Sequence, residues 1–165
     1  MNRFSTRIES SDVVGAPRGA IFAVLEDPDL LAELTPLVES IIEVDDTPRW
    51  QWQLAGISAL GTRFHPCFTV AMKFSEPDRI DFHHDPPSGA SEHAAAEGIY
   101  ELAEVAASDE LPDGGTHVAI QLDVHVELPL PRMSRRAVEG VMHRTTEKMG
   151  ERFAVNLRRH LGVHR

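Results

Sequence analysis

Residues 115–131 read GTHVAIQLDVHVELPLP and combine a long alternating strand with an abrupt end. Six apolar residues recur at every second position: Val118, Ile120, Leu122, Val124, Val126 and Leu128. The positions between them are mainly polar, which predicts a strand with one dry face and one wet face in an antiparallel sheet. Pro129 and Pro131 then stop the strand and favour the start of a helix.

The segment after Pro131 has helical periodicity as far as about Leu161. Its apolar and small residues recur every three or four positions: Val138, Val141, Met142, Thr145, Met149 and Phe153. One stripe of this long helix is therefore expected to face the sheet.

The region before residue 115 begins with a strand over Phe4–Val14 and two short helices, the first opened by Ala16-Pro17. Alternating segments at 38–44, 50–54, 64–74, 79–85 and 92–105 follow, and Pro66 suggests a bulge or a strand end inside the third. This order predicts an α+β fold in which a curved antiparallel sheet of about seven strands wraps a long C-terminal helix. Residues 1–165 are expected to form a single domain.

Charge and composition exclude several classes of protein. The net charge of −10 divides into +6 over residues 131–165 and −16 before them. We expect the dispersed basic residues to pack beside an acidic sheet and to bind no nucleic acid. No apolar run suits stable membrane insertion, and the N-terminus has no signal-peptide pattern. Because Cys67 is the only cysteine, no internal disulfide forms and a cytoplasmic location is expected.

Four stretches carry a resemblance to a known superfamily: VVGAPRGAIFAVLEDPDLLAELTP, PRWQWQL, EPDRIDF and GTHVAIQLDVHVELPLP. In their order and spacing the chain resembles the START-related proteins, also called SRPBCC, with the helix-grip or pollen-allergen-like fold. The subgroup that it resembles is the bacterial polyketide cyclase/dehydrase and lipid transport proteins. The resemblance implies a cavity between sheet and helix that takes lipids, polyketides or other apolar ligands. It implies no definite catalytic activity, because such proteins include binders, cyclases and chaperone-like members.

The inward parity of the strands and the helix stripe predict the residues that contact a ligand. The apolar candidates are Trp50, Trp52, Phe64, Phe68, Val70, Met72, Phe82, Ile120, Leu122, Val124, Met142, Met149 and Phe153. Aromatic and methionine side chains are typical of adaptable apolar pockets. For each residue taken singly, ordinary core packing is the competing interpretation.

Few polar residues share the inward parity. His84 and Tyr100 lie on it in their strands, Thr145 lies in the helix stripe and Arg152 lies at its flank. These four could orient a carbonyl, hydroxyl or carboxylate group of a ligand. His84, Tyr100 and Arg152 are the candidate catalytic residues, with His84 and Tyr100 as an acid/base pair. The alternative is that His84 and the Tyr100 hydroxyl meet water.

Metal and cofactor sites are not predicted. His83 and His84 are neighbours in a strand and so point to opposite faces, and no zinc-ligand spacing or glycine-rich phosphate loop occurs. Cys67 is interpreted as an inert thiol.

Three functions remain open on these grounds. The first is a carrier or binding protein for a hydrophobic or amphipathic small molecule. The second is a polyketide cyclase/aromatase-type enzyme that uses the same cavity, and the third is a protein-interaction module. Either a monomer or a homodimer is compatible with the sequence.

Overall fold

A computed structural model describes all of residues 1–165. The strands are β1 (Asn2–Val14), β2 (Val38–Val44), β3 (Arg49–Leu54), β4 (Ile57–Ala59), β5 (Thr62–Phe64), β6 (Cys67–Ser75), β7 (Arg79–His84), β8 (Ala94–Val105) and β9 (Gly115–Leu128). The helices are α1 (Arg18–Leu25), α2 (Pro28–Leu34) and α3 (Arg135–Leu161), and a 3₁₀ turn at Arg132–Ser134 precedes α3.

Seven of the strands form one antiparallel sheet in the order β1-β9-β8-β7-β6-β3-β2. The remaining two, β4 and β5, pair only with each other as a small hairpin. The α+β class, the two short helices after the first strand and the long C-terminal helix are all confirmed.

The strand register collects the predicted apolar positions on one face of the sheet. Phe4 lies opposite Val126, and Val126 lies opposite Ala94. Residues that pair directly across antiparallel strands project to the same side, so one residue in two along each strand faces inward. This inward face contributes to a cluster of 23 buried hydrophobic residues, which also includes the inner sides of α1 and α2.

Helix α3 follows the free edge of β1. The backbone N–H of Ser5 donates to Glu139 over 2.8 Å near the start of the helix. Near its end, Arg158 donates to the Asp12 carboxylate over 2.6 Å and to the Val13 carbonyl over 3.1 Å. The helix therefore satisfies backbone groups that an edge strand would otherwise leave open to a neighbouring chain.

Gly98 marks a close approach between β8 and its neighbours. A Cβ atom at this position would lie 2.1 Å from the backbone oxygen of Gln121 and 2.9 Å from the ring of Phe82. Only a glycine fits such an approach without displacing a strand, which is why this residue interrupts a strand of otherwise ordinary composition.

One predicted strand proved to be two elements. The segment expected over 64–74 is interrupted at His65 and Pro66, so that β5 ends at Phe64 and β6 begins at Cys67. A proline has no N–H for the sheet, and the Pro66 carbonyl instead accepts from the backbone of Leu54. Phe64 belongs to the small hairpin, and its expected place on the inward face of the main sheet is wrong. None of the helices has the length and apolar character needed to cross a membrane.

Candidate ligand-binding site

The predicted lining residues divide into packed and accessible groups. Four are buried within the core, namely Trp50, Phe68, Val70 and Met72. Partly accessible are Trp52, Phe64, Phe82, His84, Tyr100, Ile120, Leu122, Val124, Met142, Thr145, Met149 and Phe153. Arg152 is exposed. The accessible inward residues are thus concentrated on β7, β8 and β9 and along the middle of α3.

Helix α3 packs closely at its two ends and less closely between them. Val138 is fully buried near its start, and Leu157 is buried near its end. Beside Leu157, the Asn156 side chain donates to the Leu34 carbonyl over 2.9 Å and fastens the helix to α2. The residues between these anchors, such as Met142 and Met149, stay partly accessible although they touch the core. We therefore assign the candidate binding site to the region between the middle of the helix and the central strands, which we call the space beneath α3.

Tyr100 is the polar residue that best reports this space. Burial raises the pKa of its hydroxyl to about 12, so the ring lies deep in the fold. Part of its surface is nevertheless accessible, and its hydroxyl is not left buried without a hydrogen-bond partner. Tyr100 thus packs against the hydrophobic core while part of its surface stays accessible.

The Phe82 ring occupies the place beside Tyr100 that Gly98 leaves free. The Phe82 and Tyr100 ring centroids lie 5.9 Å apart at an interplanar angle of 41°. Phe82 also pairs directly with Gly98 across β7 and β8. Gly98 therefore makes room for a second aromatic ring, and the tilted pair forms an aromatic floor of the space.

Trp52 contributes a second aromatic pair at the other side of the sheet. Its ring stacks on Phe68 with centroids 5.9 Å apart and an interplanar angle of 13°. Its Nε1 atom is buried without a hydrogen-bond partner. Most buried donors in proteins are paired. The Trp52 N–H is therefore unusual, and it is the one buried side-chain polar group of this protein without a partner.

A buried carboxylate, Glu92, organises the open end of β7 and was not identified from the sequence. Its Oε1 atom accepts from the Thr69 backbone N–H and from His84 Nε2, both over 2.8 Å, and its Oε2 atom accepts from Thr69 Oγ1 over 2.8 Å. The Thr69 residue is fully buried. Burial, and after it the charge of Glu92, raises the pKa of the nearby Cys67 thiol above its usual value. A negative charge thus lies inside the fold with three hydrogen bonds to stabilise it.

His84 and Tyr100 share the inward face but not one position along it. His84 pairs with Val70, whereas Tyr100 pairs with Ile80, four residues away from His84 on β7. Four residues of strand span roughly 13 Å. The two side chains can therefore contact different ends of a ligand more readily than a single reacting atom.

The remaining polar candidates are on α3. Thr145 is partly buried in the inward stripe, as its spacing indicates, while Arg152 has its side chain at the surface. His, Cys, Asp and Glu side chains form no group of three or more that is arranged to hold a metal ion.

Two grooves open elsewhere on the surface. One, of about 380 Å³, lies over β1, β8 and β9 and is lined by residues that include Glu9, Glu101 and Gln121. The other, of about 430 Å³, lies between α2 and β2. Neither groove is lined by a residue of α3, although the first includes Ile120.

Comparison with known proteins gives matches by structure alone. No protein-family model matches the chain, and no curated protein is significantly similar to it in sequence. A conserved protein from Geobacillus kaustophilus superposes with a TM-score of 0.70 at 13% identity, covering 95% of each chain. A START superfamily protein from Mycobacterium smegmatis superposes with a TM-score of 0.62 at 17% identity, covering 93% of this chain and 97% of the other.

A third match is the Zhui aromatase/cyclase from a Streptomyces species. It superposes with a TM-score of 0.63 at 14% identity and covers 94% of this chain and 95% of its own. At such low identities the likeness concerns the fold. The seven-stranded sheet, its two short helices and the long C-terminal helix together give this chain the same helix-grip fold as these proteins.

Proposed function

We propose that the protein binds a hydrophobic or amphipathic small molecule in the space between β7–β9 and the middle of α3. One observation carries this proposal: apolar side chains on β9 and on α3 stay partly accessible although they pack against the hydrophobic core. Leu122 on β9 and Met149 on α3 are examples. Burying such surface against a ligand contributes roughly 25 cal/mol for each Å² removed from water.

The polar groups of the space favour an oriented ligand. The Tyr100 hydroxyl and the His84 ring are partly accessible on the same inward face, at separate positions along it. A few polar groups in a mainly apolar lining are the usual composition of a small-molecule site. The START superfamily protein and the aromatase/cyclase with the same fold are consistent with this type of site.

Native mass spectrometry tests the proposal directly. A co-purified apolar compound, lost after organic extraction, is the expected result. Uptake of a fluorescent apolar probe by the extracted protein gives the affinity. Leu122→Trp should fill part of the space and weaken uptake about tenfold, equivalent to about 1.4 kcal/mol. Val155→Trp, at an exposed position on the same helix that covers the space, should leave uptake unchanged.

The outcome against the proposal is equally defined. If the protein carries no apolar compound and takes up no probe, it does not use this space for binding. The same conclusion follows if the Leu122→Trp and Val155→Trp variants bind the probe equally well.

An enzyme of the cyclase/aromatase type is the second candidate. It is favoured by the contact between His84 and the buried Glu92, since a carboxylate that holds a histidine ring is a common arrangement for proton transfer. Turnover of a linear polyketide mimic that falls at least about a hundredfold in His84→Gln, with its binding nearly unchanged, would support catalysis. Binding without any turnover would leave the carrier function.

A further inference from the structure

The Glu92 carboxylate determines which nitrogen of His84 carries the proton. A carboxylate only accepts hydrogen bonds, so the 2.8 Å contact between His84 Nε2 and Glu92 Oε1 requires a proton on Nε2. Thr69 fixes the same carboxylate through its backbone N–H and its hydroxyl, and the Glu92 side chain is only 9% exposed. In the neutral ring the other nitrogen, Nδ1, is then a hydrogen-bond acceptor.

The Nδ1 atom of His84 is available to a ligand. It takes part in no hydrogen bond of the protein, and it is not buried, so another molecule can reach it. Pairing with Val70 places the ring on the inward face. Phe82, one inward position before it on β7, connects it to the aromatic floor of the space.

We propose that His84 Nδ1 accepts a hydrogen bond from the bound ligand, so that the site selects apolar molecules with a hydroxyl donor, such as a phenol or an enol. This inference rests on the proposed binding function and adds the ligand class to it. A matching ether or ester places an oxygen lone pair against the Nδ1 lone pair and leaves the acceptor unpaired in apolar surroundings. A site whose acceptor stays unpaired with one ligand binds that ligand more weakly than the ligand that supplies the donor.

The other accessible polar groups of the inward face do not give this selectivity. The hydroxyls of Tyr100 and Thr145 both donate and accept, so they accommodate a hydroxyl and a carbonyl equally. His84 can act as an acceptor only as long as Glu92 holds the proton on Nε2. Glu92 is therefore a positioning residue that sets the selectivity through His84.

A matched pair of probes tests the inference. Naphthol and its methyl ether have the same rings and differ in the O–H group. By hydrophobicity alone the ether should bind more tightly. We expect the wild-type protein to bind naphthol about three- to tenfold more tightly than the ether, the range that one neutral hydrogen bond gives.

Two variants assign the preference to His84. In His84→Gln the amide N–H can still reach Glu92, but no acceptor remains at the Nδ1 position, so both probes should bind equally while the melting temperature is retained. His83→Gln changes the neighbouring exposed ring on the opposite face and should keep the preference. A ¹⁵N NMR spectrum of the free protein should show His84 protonated on Nε2 and unprotonated on Nδ1.

Each result decides one question. Equal binding of both probes by the wild-type protein, an unchanged preference in His84→Gln, or a proton on Nδ1 overturns the inference while the binding function stands. If neither probe binds and no other apolar compound does, the binding function fails and the inference fails with it.

Discussion

Replacing Glu92 with alanine removes the acceptor of three hydrogen bonds at once. The Thr69 N–H and hydroxyl then lie in a fully buried position without a partner. Each unsatisfied buried donor costs about 1–3 kcal/mol. The His84 ring is partly exposed and can turn to water, so it adds little. Because the freed hydroxyl can rotate toward another acceptor, we expect Glu92→Ala to lower the free energy of unfolding by about 2–4 kcal/mol.

The loss should be visible in thermal and urea denaturation followed by circular dichroism. For a chain of this length about 1 kcal/mol shifts the melting temperature by about 2–4 °C, so a decrease of about 4–16 °C is expected. Glu92→Gln keeps one acceptor oxygen and should lose roughly half as much free energy. Glu101→Ala removes an exposed carboxylate from β8, the strand that follows Glu92, and should change stability by less than about 0.5 kcal/mol. A Glu92→Ala protein as stable as Glu101→Ala would refute this account of the cluster.

Three further changes have distinct expected results. Gly98→Ala places a Cβ 2.1 Å from the backbone of the neighbouring strand and should cost about 1–3 kcal/mol in urea denaturation. Gly19→Ala, with open space around it, should leave stability unchanged or raise it by up to about 1 kcal/mol; equal losses at both positions would contradict the crowding at Gly98. The hydrogen bond from Arg158 holds the pKa of Asp12 below 3.8, so its contribution is present above pH 3.8 and lost as the pH falls through the lower folded value. Asp12→Asn should therefore lower stability by about 0.5–1 kcal/mol at neutral pH, with the difference shrinking in acid, and a difference that persists in acid would exclude this ion pair as its cause. The protein's single tyrosine, Tyr100, should show phenolate absorbance only near pH 12 when folded and near pH 10.0 in denaturant. Because the folded pKa is the higher one, stability should fall above pH 10.0. Phenolate at pH 10.0 in the folded protein would place the hydroxyl in water.

Alternation along the strands made much of the fold predictable. A shift of one residue would turn the apolar positions of β9 to water, so their parity is strongly constrained. For the same reason the inward parity of His84 and Tyr100 could be read from their apolar neighbours, and the register places both there. Pro66 predicted a bulge or a strand end. It did not indicate that Phe64 would belong to a separate hairpin, because a proline affects only the hydrogen bonds next to it.

The partner of His84 could not be predicted from the sequence. Glu92 lies in the segment between β7 and β8, where Pro, Ser and Gly residues give no periodicity. It approaches Thr69 only because the pairing of β7 with β8 ends at Phe82. Such a contact depends on tertiary structure and has no local signal.

The division between packed and accessible lining residues was equally hidden. Val70 and Leu122 have the same parity and similar side chains, yet Val70 is buried and Leu122 is partly accessible. Parity tells only which face of the sheet a side chain lies on, whereas its burial depends on what packs over that part of the sheet. Such packing joins residues far apart in the sequence, as the contact between Asn156 and Leu34 does.

The central claim is that an apolar ligand occupies the space under α3, and the five methionines of the chain provide the most direct test. In a protein with ¹³C-labelled methionine methyl groups, Met142 and Met149 lie on the inward stripe of α3, while Met1 and Met133 are 74% and 95% exposed. Titration with naphthol should shift the Met142 and Met149 resonances and leave those of Met1 and Met133 in place. Shifts confined to Met1 and Met133, or no shift during a titration in which naphthol binds, would contradict the claim.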